Sequence, residues 1–390
     1  MRDRRILISG ASIAGPTLAY WLHRYGFKVT VVERAPSTRP GGYAVDFRGS
    51  SLRVLERMDL VDEVRKFETH TGAITIVDRA NRKVASMPDG FTSGELEIMR
   101  GDLVNILYTA TRQDVAYIFN DSITALRETE DGIDVEFQYA PRQSFDLVVG
   151  ADGLHSKVRA LAFGPESQFL HNLGYYIAIF STPNFMSLDH SGVYHTVPGK
   201  RVGVFSARNN TQATASFYFS SDPLEYNRRD VAEQKQIVRD RFREEAWQIP
   251  ELLRRMEDAA DLYFDMISQV RMDHWSKGRT VLLGDAGYCS SPRSGMGTSL
   301  AVVGAYVLAG ELKRAAGDYE VAFSKYERQM REFVTEAQKL ADGAEWFVPR
   351  TRWKLWLSQR LWKILPRSFW EKVMIEIPRR IANLVPIQEY

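Results

Sequence analysis

Three stretches of this chain combine small residues, single carboxylates and hydroxyls at spacings suited to holding a nucleotide-sized ligand. In the first, Gly10, Ser12, Ile13, Ala14 and Gly15 separate the apolar run Ile6-Leu7-Ile8 from residues with helical apolar spacing, and Glu33 closes the next apolar run. Gly10 permits a tight turn, the free N–H groups of the helix that follows suit a pyrophosphate, and Glu33 suits a ribose hydroxyl. Ser12 stands where that fingerprint usually has a glycine, so its hydroxymethyl group must be tolerated or used as a donor. Arg34 offers a cation for an adenine face or a phosphate, or is a solvated surface residue. The second stretch, Asp146-Leu-Val-Val-Gly150-Ala-Asp152-Gly153, ends an apolar run in an aspartate, with Ser156 and Arg159 one helical turn apart. Asp152 serves either a ligand hydroxyl or the N–H groups of its own turn. The third, residues 280–300, carries Val281-Leu282-Leu283 into Gly284-Asp285 and then a loop with Pro292, Gly295, Met296 and Gly297. Asp285 falls at a strand's carboxyl end, where open α/β sheets bind ligands.

The elements needed to position these residues are readable from periodicity. Each stretch reads as buried strand, sharp turn and helix start, and Lys28 to Glu33 supplies a further strand. Between them, a turn-rich loop from Gly41 to Gly49 carries Asp46, placed either to meet a ligand or to cap a turn. Arg100 begins a helical segment, where the macrodipole disfavours a cation, which points to an anionic partner or an exposed arginine. From Leu173 to Phe219 the pattern turns β-rich and aromatic, with Phe205, Phe217 and Phe219 as candidates to line a pocket for a planar substrate or to fill a core. Tyr263 to Val270 reads as a strand returning toward the nucleotide unit. Helices are expected over 298–315 and 320–340.

Composition narrows the function. With 390 residues, 44% hydrophobic and 26% charged, the chain is long enough for one large or two closely packed cores. A formal net charge of +2 argues against nucleic-acid binding. The single cysteine, Cys289, excludes an intrachain disulfide framework and multi-cysteine metal sites, and fits a reducing cytoplasm. No secretory leader and no charge-free run of membrane-spanning length is visible.

Taken together, Gly10-x-Ser12-x-x-Gly15 with Glu33-Arg34, Asp146 through Arg159, and Gly284-Asp285-Ala-x5-Pro292-x2-Gly295-x-Gly297 resemble the single-component FAD-dependent aromatic hydroxylases of the p-hydroxybenzoate hydroxylase type, a group that includes the tetracycline-inactivating monooxygenases. The resemblance implies an α/β fold: a Rossmann-like FAD-binding domain (1–70, 97–165 and 276–320), an inserted β-rich substrate domain (71–96 and 166–275) and C-terminal helices (321–390). It implies that the first motif and Glu33 hold the ADP half of FAD, that Arg100 contacts its phosphate or ribityl groups, that Asp285 binds the ribityl chain, and that Pro292 and the Gly295-Met296-Gly297 backbone face the flavin ring. It links Asp152 to FAD and to a passing nicotinamide cofactor. Two departures from the family pattern stand out: Gly287-Tyr288 replaces Ala-His, and Ser299 replaces Asn.

By the same resemblance, NADPH or NADH reduces the FAD, O2 adds to it, and a flavin hydroperoxide passes one oxygen atom to an aromatic or polyketide-like small molecule, with antibiotic modification as one specialisation. The alternatives are a flavin-dependent reductase of an isoprenoid-like substrate and a non-catalytic flavin-binding protein. No metal is implied. His195 and His274 are either acid–base helpers or plain polar residues, and Cys289 reads as a small packing residue. Residues 351–365 place Trp353, Leu357, Leu361 and Ile364 on one helical stripe among Lys354, Arg360 and Lys363. Such a helix packs over the core or rests on a membrane surface; packing is the expectation.

Overall fold

The computed structural model describes residues 4–38, 41–87 and 94–390; positions 88–93 of the expected 71–96 segment lie outside the described residues. One sheet has six strands in the order Ser276–Lys277, Thr280–Leu282, Leu147–Gly150, Arg5–Ser9, Lys28–Glu33 and Ala116–Phe119. Its strands pair in parallel except for the Ser276–Lys277 edge. Parallel strands are covered on both faces, which is why they read as unbroken apolar runs. Ile6, Leu7, Ile8, Val148 and Val149 are fully buried. The helix Gly297–Arg314 is buried from Thr298 to Leu312 because it lies between the helices Ala14–Arg24 and Tyr319–Lys339.

The second sheet has seven strands in the order Tyr263–Val270, Leu170–Pro183, Gln212–Ser220, Lys200–Ala207, Gly192–Val197, Ile74–Val77 and Lys83–Met87. All neighbours are antiparallel except Gly192–Val197 with Ile74–Val77. Period-two alternation gives this sheet two unlike faces. Two helices, Val231–Phe242 and Ile249–Asp258, cover one face and close a core containing Phe180, Phe217, Phe219, Phe242 and Leu252. Phe217 and Phe219 are therefore core residues, at 0% and 1% exposure, and not pocket lining. The opposite face carries Tyr175, Tyr194, Tyr218 and Phe205. Tyr263–Val270 is an edge strand of this sheet and also reaches the 280–300 stretch, since the Val270 N–H donates to the Cys289 carbonyl at 3.0 Å.

The C-terminal helix Arg352–Ile364 packs over the Ile74–Met87 end of the second sheet through Trp362, which stacks on Trp370 at 3.8 Å. The expected stripe is thus corrected: Trp353 and Ile364 point outward, because the sheet takes the face bearing Trp362. Among the described residues, no helix is long and apolar enough to cross a membrane.

Candidate functional site

The first turn is set by two glycines that backbone packing requires. Gly10 has φ +109°, and a Cβ there would sit 2.4 Å from the Ala151 carbonyl oxygen of the neighbouring strand. A Cβ on Gly15 would sit 1.9 Å from the Gly10 carbonyl oxygen. The Ala14–Arg24 helix that follows has no side-chain cap, so the N–H groups of its first turn are left for another acceptor. Ile13 and Ala14 are buried and contribute backbone only. Glu33 closes its strand with Oε2 accepting from the Ala11 N–H at 2.9 Å and Oε1 from the Ala35 N–H at 2.8 Å. Each oxygen retains a lone pair, while Arg34 beside it is exposed.

Arg100 and Ser12 are brought together from 88 positions apart: an Arg100 guanidinium nitrogen donates to Ser12 Oγ at 2.7 Å. The arginine starts the helix Arg100–Thr109 after the Leu96–Met99 strand, which pairs with Ala44–Phe47. Gly42, with φ +102°, passes over its side chain at 3.6 Å from a built Cβ. The cation that the helix dipole disfavours is thus held at the amino end of the Gly10–Gly15 turn, beside another uncapped helix start.

The 280–300 stretch is braced from within. Ser290 and Ser294 hydroxyls lie 2.7 Å apart, Ser294 Oγ donates to the Ser291 carbonyl at 2.9 Å and accepts from the Met296 N–H at 3.1 Å. Ser291, at φ +81°, holds a left-handed conformation unusual for a residue with a side chain. Gly295 also lies in the left-handed region, and the Gly297–Arg314 helix starts without a side-chain cap. A Cβ on Gly153, Gly295 or Gly297 would meet nothing within 4 Å. These glycines leave open space, unlike Gly10 and Gly15. Met296 is fully buried, backbone included, whereas Pro292 is exposed.

Asp285 lies deep in the molecule yet its side chain is exposed, as expected of a carboxylate facing an interior cleft, and burial pushes its pKa up despite the Cys289 thiol and Arg100. Tyr43 and Tyr263, with rings 5.8 Å apart, share this region, and burial pushes the Tyr43 phenol up to about 12. An open glycine cradle, two uncapped helix starts, a cleft-facing carboxylate and a cation beside the first turn fit a dinucleotide.

Two other carboxylates are engaged locally. Asp152 accepts from the Ser156 hydroxyl and from the N–H groups of Lys157 at 2.8 Å and Val158 at 3.1 Å, so it holds its own turn. Burial, set against those bonds, leaves its pKa raised. Asp46 pairs with Arg48 at 2.5 Å, and burial likewise raises its pKa. Arg159 is completely buried and donates to the Ala286 carbonyl at 2.9 Å, tying the second motif to the third. His195 stacks on Trp247 and bonds the Val77 carbonyl at 3.2 Å. His274 is exposed beside Glu327, in a surface groove of about 760 Å3 that holds none of the cleft residues.

Where the third motif meets the second sheet, through Arg293 and Phe347, lie residues that sequence reasoning missed. Arg201 is buried, donates to Thr196 Oγ1 at 2.9 Å, and lies over the rings of Tyr194 at 4.8 Å and Phe347 at 4.2 Å. Burial lowers its pKa to about 10, and among the described residues no carboxylate lies within ion-pair distance. Arg293, from the loop itself, lies over the same Phe347 ring at 5.2 Å. Tyr218 belongs to this group, and Phe205 packs on Tyr194 at 5.1 Å. The signal that could have found this face is the polar set Thr214, Ser216 and Tyr218, alternating with Ala215, Phe217 and Phe219.

Residues 3–339 match the model of a family described as FAD binding domain. An uncharacterised protein of Mycobacterium tuberculosis is 47% identical over 343 residues, covering 86% of this chain and 92% of that one. A flavin-dependent monooxygenase of Legionella longbeachae is 42% identical over 343 residues, covering 87% and 88%. The crystal structure of tetracycline destructase Tet(51) superposes with a TM-score of 0.85 at 35% identity, covering 100% of this chain and 99% of that one. The uncapped turn at Gly10, the Asp285 cleft and these relationships agree: the chain belongs to the FAD binding domain family and is a flavin-dependent monooxygenase related to the tetracycline destructases.

Proposed function

We propose that the protein takes electrons from NADPH or NADH and uses O2 to hydroxylate an anionic aromatic or polyketide-like small molecule. The observation that carries the substrate class is Arg201, a buried cation in an aromatic box, with no carboxylate partner among the described residues, beside the loop that bounds the flavin cleft. A buried charge is costly unless paired, and a ligand enolate, phenolate or carboxylate supplies the missing partner. An isoprenoid chain gives it nothing.

In this reading Glu33 and the Gly10–Gly15 turn take the ADP half of FAD, Arg100 a phosphate, and Asp285 the ribityl chain. Pro292 and the Gly295 to Gly297 backbone take the flavin ring. When bound, FAD supplies the reduction by the nicotinamide cofactor and the activation of O2. The protein's part is to hold the substrate ring between Arg201, Tyr194 and Tyr218, to present uncapped backbone N–H groups near Gly297 to developing negative charge, and to exclude water. The likeness to tetracycline destructases makes tetracyclines, which carry ionisable enols, the first ligands to try.

The test is a ligand panel followed by NAD(P)H oxidation and O2 uptake, with mass spectrometry of the products. A gain of one oxygen atom on an anionic ligand is expected. Turnover restricted to neutral ligands, or reduction without oxygen gain, overturns the reading.

A further inference from the structure

The C-terminal helix Arg352–Ile364 uses only one face to pack on the second sheet. Its other face carries Trp353, Trp356, Arg360, Lys363 and Ile364 at helical spacing, and Trp353, Trp356 and Ile364 are 63%, 54% and 71% exposed. Trp346, Phe369 and Ile377 continue the same segment. These make six of the ten large apolar side chains exposed among the described residues. The clustering is not the scatter of single surface hydrophobes found on any protein.

Charge is concentrated in the same place. Residues 350–380 hold nine lysines and arginines and two glutamates, a net of +7 in a chain whose total is +2, so the rest of the molecule is net negative. Arg360 lies 5.3 Å over the Trp356 ring, which holds the cation at the aromatic surface instead of away from it. Neither Arg360 nor Lys363 has a carboxylate partner among the described residues, in contrast to Lys354, Arg367 and Arg379.

We propose that this face is a docking surface for an anionic lipid bilayer. A tryptophan-bearing, basic helix lying flat is the arrangement that inserts rings at headgroup depth while its cations meet anionic headgroups. A second copy of the same face is opposed by like charge. The helix cannot span a bilayer, so contact is peripheral and reversible.

The test uses full-length, FAD-loaded protein with vesicles of phosphatidylcholine alone or of phosphatidylcholine with phosphatidylglycerol. Co-sedimentation is expected with the anionic vesicles only, with a blue shift in tryptophan emission and release by added salt. W353S/W356S and R360E/K363E variants, substituted at exposed positions, retain FAD and fold by circular dichroism, and each binds roughly tenfold or more weakly. Equal binding to neutral vesicles, no binding, or unchanged binding by the charge-reversed variant overturns the proposal. So does a tryptophan-dependent dimer, or capture of an acidic protein, without vesicle binding. Neither outcome bears on hydroxylation, which is assayed separately.

Discussion

If the glycines of the cleft serve a ligand and those of the first turn serve the fold, alanine separates them. At Gly15 the added Cβ would be 1.9 Å from the Gly10 carbonyl oxygen, a backbone atom with no means of swinging aside. Gly15→Ala therefore costs about 3 kcal/mol or more through overpacking. At Gly297 the added Cβ meets nothing within 4 Å, and φ lies outside the left-handed region. Because the residue opens a helix, Gly297→Ala should leave the FAD-free protein unchanged or stabilise it by up to about 1 kcal/mol. A larger side chain at the same place, Gly297→Leu, fills the space assigned to the flavin ring. Its FAD affinity is expected to fall at least about tenfold, which is about 1.4 kcal/mol. The assay pairs FAD titration by flavin fluorescence with thermal unfolding of FAD-free and FAD-loaded protein, since a ligand that binds only the native state raises Tm by mass action. FAD affinity unchanged in Gly297→Leu would refute the reasoning. So would an FAD-free Gly297→Ala protein destabilised by more than about 1 kcal/mol, because then the open space was serving the fold.

Arg201→Met should raise the stability of the substrate-free protein, because it removes an uncompensated buried cation, while lowering kcat/KM for an anionic ligand by about 100-fold with FAD content intact; steady-state kinetics and thermal unfolding decide, and a coupled loss of both stability and activity goes against it. Asp285→Asn should weaken FAD retention and leave the fold in place, and a fully flavinated variant after gel filtration would remove Asp285 from the cofactor site. Glu97 is buried beside Asp46, and although the Thr69 and Thr71 hydroxyls donate to it, burial dominates and pushes its pKa up to about 7. Between the unfolded value near 4.5 and that folded value, the native state keeps a proton that the unfolded chain has released. Stability therefore falls as pH rises through this window, by up to about 3 kcal/mol, and Glu97→Gln should flatten the profile. Urea unfolding at about pH 5 and about pH 8 measures this, and parallel profiles for the two proteins would show the raised pKa to be wrong.

What the sequence made legible was local. A strand, a turn and a helix start within a dozen residues, and an aspartate ending an apolar run shows which end of the sheet it occupies; Gly10, Glu33 and Asp285 stand where that reasoning puts them. Facing directions were less accessible. Phe217 and Tyr218 are neighbours in one strand, and the alternation of Thr214, Ser216 and Tyr218 with Ala215, Phe217 and Phe219 separates two faces. The helices Val231–Phe242 and Ile249–Asp258, far away in sequence, decide which face is closed: Phe217 and Phe219 go to that core, and Phe205 to the opposite face. The same limit explains the C-terminal helix, whose packed face is chosen by Ile74, Ile76 and Met87, far away in sequence.

Long-range pairing also changes the meaning of the departures from the family pattern. Ser12 in place of glycine and Arg100 at a helix start are two anomalies in sequence and one hydrogen bond in space: the serine accepts from the arginine and fixes it at the turn where a phosphate would sit. Tyr288 and Ser299, which from sequence stand in the flavin loop, are turned into the core. The Tyr288 hydroxyl meets that of Tyr326 at 2.7 Å, and Ser299 Oγ meets Ser51 Oγ at 2.9 Å, joining the long helix to its neighbours. Substituting either therefore tests stability, not flavin chemistry. On the proposed reading, what distinguishes this site from that of its relatives comes from the side chains on this face of the second sheet, and Arg201 and Arg293, 4.2 Å and 5.2 Å from the Phe347 ring, are the charged groups placed there.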